Sequence, residues 1–201
     1  MNDRLLSLIQ DLQKRVEKLE KDNKELRKWA YREKQKINII AWLNEHYLPT
    51  EDFCDWVKTI KITEDELNGV FHDGLPRGIS DIIKRKLQLE DRRHFPIIAF
   101  KHQIKSIFYV FEGKTWRKIK KDEFRKMVNA IQHETVMAFN VWERAHPEML
   151  DPDNVEFWGK KLQSILMPDE KTARIVSKIE KSIHAYLSLN IKTIVEYDFE
   201  F

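Results

Sequence analysis

The sequence predicts an α+β protein that is mostly helical. A parallel coiled-coil stalk over residues 1–33 leads into one helix-rich globular domain, residues 34–201, with a small antiparallel β-meander near 96–120. Three observations carry this. A heptad repeat opens the chain, helix-period apolar stripes dominate the rest, and one stretch in the middle reads as strand, turn, strand.

The heptads come first. Leu5, Ile9, Leu12, Val16, Leu19, Asn23, Leu26 and Ala30 recur at alternating spacings of four and three. Ile9, Val16, Asn23 and Ala30 take the a positions, and the leucines take d. β-Branched residues at a with Leu at d favour two parallel strands, and a single Asn at a fixes register and strand number at a cost in stability. Arg15 at g faces Glu20 at e of a partner, and Asp22 faces Arg27 in the same way. A helix folded back on its own domain would need neither the 3.5-residue period nor matched e and g charges.

Past the stalk, Ile37-Asn38-Ile39-Ile40-Ala41-Trp42-Leu43 is too densely apolar for a solvated seam and reads as the entry to the domain, as helix or short strand. Thr50 predicts an N-cap for a helix over 51–60 with Phe53, Trp56, Val57 and Ile60 on one face. Thr63 and Glu66 match a capping box, opening a helix with Leu67, Val70 and Phe71 inside. Residues 73–78 read as a turn, and Ser80 as the start of the next helix, with Ile82, Ile83 and Leu87 inside and Lys84, Arg85 and Lys86 outside. A six-residue connection is too long for the compact DNA-binding helix-turn-helix.

Residues 95–100 are a candidate first strand. Ser106 to Phe111 read as a strong strand, rich in β-branched and aromatic residues, Glu112-Gly113-Lys114 is a hairpin turn, and residues 115–119 return. Trp116 and Ile119 are out of strand period, which predicts a bulge or an early strand end. Helices follow over 122–146, with Phe124, Val128, Ile131, Thr135, Ala138 and Trp142 inside and Met127, Ala130, Met137 and Val141 widening that face. Asp151-Pro152 opens the next, carrying Val155, Trp158, Leu162 and Ile165. The last, after Pro168, carries Ala173, Val176, Ile179 and Ile183 and is capped by Asn190. Val195 to Phe201 alternate apolar and acidic residues, as an edge strand or a docking hook.

Charge is unevenly spread. Of 36 Lys and Arg, residues 77–126 hold 15 against 6 acids, a net +9, between segments of net −2 and −4. Basic residues among aromatics can serve single-stranded nucleic acid, but aromatics in a core with lysines guarding an edge strand are the commoner arrangement. The residues that would meet phosphates are Lys84, Arg85, Lys86, Arg92, Arg93, Arg117, Lys118, Lys120 and Lys121.

Catalytic chemistry finds little footing. There is no Gly-rich phosphate loop, no Cys pair and no His-Glu metal motif, and the seven histidines never fall at i, i+4 on one helix. Glu148, Asp151 and Asp153 lack the Gly and terminal Glu of a calcium loop. A non-enzymatic protein without cofactor or metal is expected. Cys54, the single cysteine, excludes an internal disulfide and is expected to be a core thiol in a reducing compartment. No apolar run approaches the roughly 18 residues of a membrane span, and no secretory signal is expected.

The order of pieces from Asn38-Ile39-Ile40, through Val70 to Leu75, Ile79 to Ile83 and Pro96-Ile97, to the Phe108–Trp116 hairpin and its long helix resembles a family of coiled-coil-plus-C-terminal-domain proteins of large eukaryotic DNA viruses, the giant viruses. The similarity spans roughly residues 20–145. In that family the domain often follows a zinc finger. With one Cys the finger's nucleic-acid role does not carry over, and the resemblance brings no catalytic residues. It implies a viral protein of the host cytoplasm, the viral factory or the virion. Its partners are expected to be a second copy of itself and another protein, with nucleic acid as the alternative and no membrane.

Overall fold

The computed structural model describes residues 2–34, 38–89, 91–101 and 107–190. The chain divides into two units, one built on the first helix and one over residues 40–191. Helix α1, Asn2–Lys34, is continuous for 33 residues. Every side chain from Ile9 to Arg27 is exposed.

The second unit is mostly helical around a small mixed sheet. Its helices are α2 (Ile39–His46), α3 (Phe53–Thr59), α4 (Glu64–Asp73), α5 (Leu75–Gln88), α6 (Lys121–Ala145), α7 (Val155–Ile165) and α8 (Asp169–Leu187). Its strands are β1 (Ile97–Phe100), β2 (Ile107–Glu112), β3 (Thr115–Lys118) and β4 (Ser188–Leu189), in the order β3-β2-β1-β4. The expected antiparallel meander is present as β1-β2-β3. The two-residue β4 adds a parallel edge, with Ala99 opposite Ser188 and Phe100 opposite Leu189.

The sheet is covered on both faces. All four residues of β1 are buried, the signature of a central strand with cover on each side. On one face Trp42 meets Phe100 edge-on, and Tyr47 meets Trp116 edge-on. On the other, Phe108 stacks on Phe124 of α6 and meets His184 of α8 edge-on. Alternation along the strands places these sets on opposite sides.

The hairpin turns through Gly113 and Lys114, both with positive φ, at 59° and 62°. Two positive values in a two-residue loop match the right-handed twist of the flanking strands. Two side chains from the preceding helices hold it. Asp52 accepts from the Gly113 amide at 3.2 Å, and Asn44 accepts from the Trp116 amide at 2.9 Å. The Trp116 indole donates to the Tyr47 carbonyl at 3.2 Å. The strand does end early, at Lys118, while the Ile119 amide still reaches the Phe108 carbonyl.

Several local expectations change. The entry segment is helical, as α2. Helix α3 starts at Phe53 after Asp52, not after Thr50, and the Asp52 carboxylate serves the hairpin instead of its own helix. The turn expected over 73–78 shrinks to one residue, Gly74 at φ 79°, because Pro76 fits the first turn of a helix. Ser80 therefore lies inside α5 and donates to the Pro76 carbonyl at 2.7 Å. The capping box at Thr63 and Glu66 forms as the spacing predicts.

In α6, Met137 and Val141 are exposed at 49% and 67%, while Phe139 takes the core position. The buried arc runs Phe124, Val128, Ile131, Thr135, Phe139, Trp142, so the stripe widens towards Phe139 and away from Met137. Val155 and Ala173 are exposed, and Thr172 is buried in place of the latter. After α8 the chain enters β4 at Ser188, with Ser188 rather than Asn190 at the C-cap. Cys54 is exposed rather than core, since α3 turns Phe53, Trp56 and Ile60 inward. Ser106, at the start of the expected strand, and the alternating segment Val195 to Phe201 lie outside the described residues.

Candidate functional site

The first candidate is the α1 seam. Ile9, Leu12, Val16, Leu19 and Leu26 are exposed by 48, 53, 52, 67 and 68%. Large apolar side chains so exposed, at heptad spacing on one helix, form a continuous stripe that water solvates poorly. Asn23 sits within it, and its side-chain oxygen accepts from Arg27 Nε at 3.0 Å along the same helix. The amide nitrogen of Asn23 can still face a second strand. Leu5 lies on the same helix at the preceding d position.

The second candidate is the basic block, and the fold spends much of it internally. Lys84 pairs with Asp81 at 3.2 Å. Arg85 and Lys86 approach the Glu66 carboxylate at 3.7 and 3.5 Å. That carboxylate is 2% exposed, and a buried charge needs such partners. Arg92 donates to the Leu187 carbonyl at 2.9 Å and to that of Tyr186 at 3.4 Å, capping α8 where the helix dipole is negative. Arg93 pairs with Asp91 at 3.1 Å.

Arg117 is the most heavily engaged. It reaches Glu112 at 2.6 Å and grips both oxygens of Glu123 at 2.8 and 3.0 Å. Glu123 also accepts from the Lys120 amide at 2.8 Å. Hydrogen bonds from Arg117, opposed by partial burial, hold the Glu123 carboxyl below its ordinary range. Lys118, Lys120 and Lys121 are exposed and make no ion pair among the described residues. The structure thus separates the nine candidate cations. Six are held by acids or carbonyls of their own chain, and three stand clear around the start of α6.

Sequence reasoning missed the counter-charges. Glu66 was legible as a capping residue but not as the acid for Arg85 and Lys86. Glu123 gave no signal, and neither did the carbonyls that Arg92 caps, 95 residues away in the chain.

His46, His72, His146 and His184 make local contacts. His46 and His146 each stack on the tryptophan four residues earlier, at 4.7 and 4.5 Å, and bond its carbonyl. Ser188 and His184 superficially resemble a nucleophile and its base at 3.2 Å. The hydroxyl proton, however, goes to the His184 carbonyl at 2.6 Å. The ring Nδ1 must then be the donor to Oγ, the reverse of what Ser activation requires. Lys161 stands over three rings, 4.0 Å from Phe71, 4.9 Å from Trp142 and 4.8 Å from Phe157, tying α4, α6 and α7 together. Burial lowers the pKa of its ammonium. Among the described residues no cluster of His, Cys, Asp or Glu could hold a metal, and no helix is long and apolar enough to cross a membrane.

No protein-family model, curated protein or solved structure matches this chain.

Proposed function

We propose that this is a non-enzymatic viral protein that pairs with itself through a parallel coiled coil and acts as an assembly or adaptor module. The carrying observation is the exposed a and d stripe of α1, with Ile9, Leu12, Val16, Leu19, Asn23 and Leu26 on one 33-residue helix that also carries Leu5. Burying that stripe against a second copy removes about 25 cal/mol of unfavourable hydration for each Å² of apolar surface. A parallel arrangement sets Asn23 against Asn23 of the second copy and gives both domains the same end of the stalk. The viral origin rests on the resemblance described above. The working compartment that goes with it is the infected cell, in cytoplasm or viral factory, or the virion.

Orientation is testable by cross-linking. With Cys54→Ser and Leu26→Cys, parallel strands place the two new thiols at facing d positions. Rapid oxidation to a covalent dimer supports the proposal. Failure of this pair to oxidise, with oxidation instead of a mixed Ile9→Cys and Leu26→Cys population, an a position against a d position, points to antiparallel strands and rejects it.

The second reading is a dimeric nucleic-acid-binding protein. Lys118, Lys120 and Lys121, unpaired among the described residues, favour it. Such binding must weaken by orders of magnitude between low and moderate salt, in proportion to the phosphates contacted. Weak binding that is flat across a salt series rejects this reading.

A further inference from the structure

A groove of about 580 Å³ lies between the start of β2, the end of β3, the first turns of α6, and α8. Its floor is apolar, with Phe108 and Phe124 buried at 2% and 3% exposure and Ile119 and Val176 beside them. Its rim on the β3 and α6 side carries Lys118, Lys121 and Arg125, all exposed. None of the three makes an ion pair among the described residues, whereas Arg77, Lys84, Arg85, Lys86, Arg93 and Arg117 of the same basic block do. Asp122 and Glu180 also line the groove, so its charges sum to net positive, with the positive side along β3 and α6.

Two features coincide here that the fold does not require. Long cationic side chains placed at the N-terminal end of α6 face the positive end of the helix dipole and cost stability there. Among the described residues, the half-buried Ile107, Ile119 and Val176 beside them leave apolar surface in contact with water, which also costs stability. Together they fit a ligand that offers anions and apolar groups in alternation. An extended peptide does this, because successive side chains point to opposite sides. Its apolar side chains would rest on the half-buried Ile107, Ile119 and Val176, above the closed Phe108 and Phe124, and its carboxylates would meet Lys118, Lys121 and Arg125.

We infer that this groove is a docking site for an extended segment of a partner protein in which acidic and apolar residues alternate. The inference stands apart from self-association, since all of its residues lie between 107 and 180, and its failure would leave the stalk reading intact.

The test uses the full chain and a fluorescent eight-residue peptide alternating Glu with Phe, followed by anisotropy. The peptide should bind. Lys121→Glu with Arg125→Glu should weaken it at least tenfold, and Ala173→Phe, which fills the groove without changing its charge, should do the same. All three substituted residues are exposed, so circular dichroism should remain that of the parent. A peptide with Lys in place of Glu should not bind. Equal binding to the parent and both variants, equal binding of the Lys peptide, or no binding of the Glu peptide overturns the proposal. Displacement by short duplex DNA at lower concentration would assign these cations to phosphates and overturn it as well.

Discussion

Arg117 and Glu123, at the end of β3 and in the first turn of α6, form a two-pronged ion pair with contacts of 2.8 and 3.0 Å. The planar guanidinium matches the carboxylate in a way that a lysine cannot. The pair fastens the sheet to the longest helix of the globular unit.

Replacing Glu123 by Gln should therefore cost about 1 kcal/mol, the scale of a charged hydrogen bond discounted for partial exposure. The pH dependence has a definite sign. The Glu123 carboxyl is depressed in the fold by its hydrogen bonds from Arg117. Its stabilisation is fully present above the ordinary carboxylate range and is lost as pH falls through that range to the lower folded value. Urea unfolding between neutral and acidic pH should show a smaller loss of stability in the Gln variant than in the parent. Parallel curves would contradict the assignment.

The joint between α4 and α5 gives a paired prediction. A Cβ added at Gly78 would lie 2.5 Å from Val70 Cγ2 and 2.9 Å from Val70 Cα. The backbone atom cannot move aside cheaply, so Gly78→Ala should destabilise by about 1–3 kcal/mol. Gly69, in α4, has open space around the same added atom. Gly69→Ala should stabilise by roughly 0.5–1 kcal/mol through helix propensity alone. Thermal unfolding of both variants checks the pair, and equal signs would refute the packing argument.

Cys54 is exposed, yet a hydrogen bond to Glu112, then burial and the Glu112 charge, push its thiol up to about 11. Only the thiolate attacks, and at pH 8 such a thiol is about a thousandth ionised, against about a quarter for an ordinary one. Iodoacetamide should modify Cys54 slowly, and Glu112→Gln should speed the reaction at least several-fold. Fast alkylation of the parent would remove the Glu112 explanation.

Much of this fold was legible in local sequence. The β2 run, the capping box at Thr63 and the stripe of α6 all depend on neighbours within a turn or a hairpin. What stayed hidden depends on distant contacts. The parallel strand β4 is two residues long and exists because Ser188 and Leu189 arrive beside β1. Met137 and Phe139 are equally plausible core residues by spacing, and only the approach of Phe71 and Trp158 selects Phe139. The groove beside α6 could not be seen at all, because its walls come from elements far apart in the chain. The basic block was visible as a charge excess, but its partners Glu66, Glu123 and Leu187 were not. The α1 helix and its exposed heptad stripe were the most legible feature, since a heptad repeat is a pattern within one helix.

In the proposed seam, Asn23 is the residue that would set specificity. An Asn at one a position trades stability for register and strand number. Asn23→Ile should raise the thermal midpoint and allow species larger than a dimer, read by sedimentation equilibrium. A variant that stays strictly dimeric would show that Asn23 does not choose the strand number.

The most direct measurement is the solution mass of the full chain against a chain lacking residues 1–33, by light scattering on a sizing column. Pairing through α1 predicts twice the chain mass for the first and a single chain for the second. The same number of copies in both would contradict the stalk as the seam of self-association.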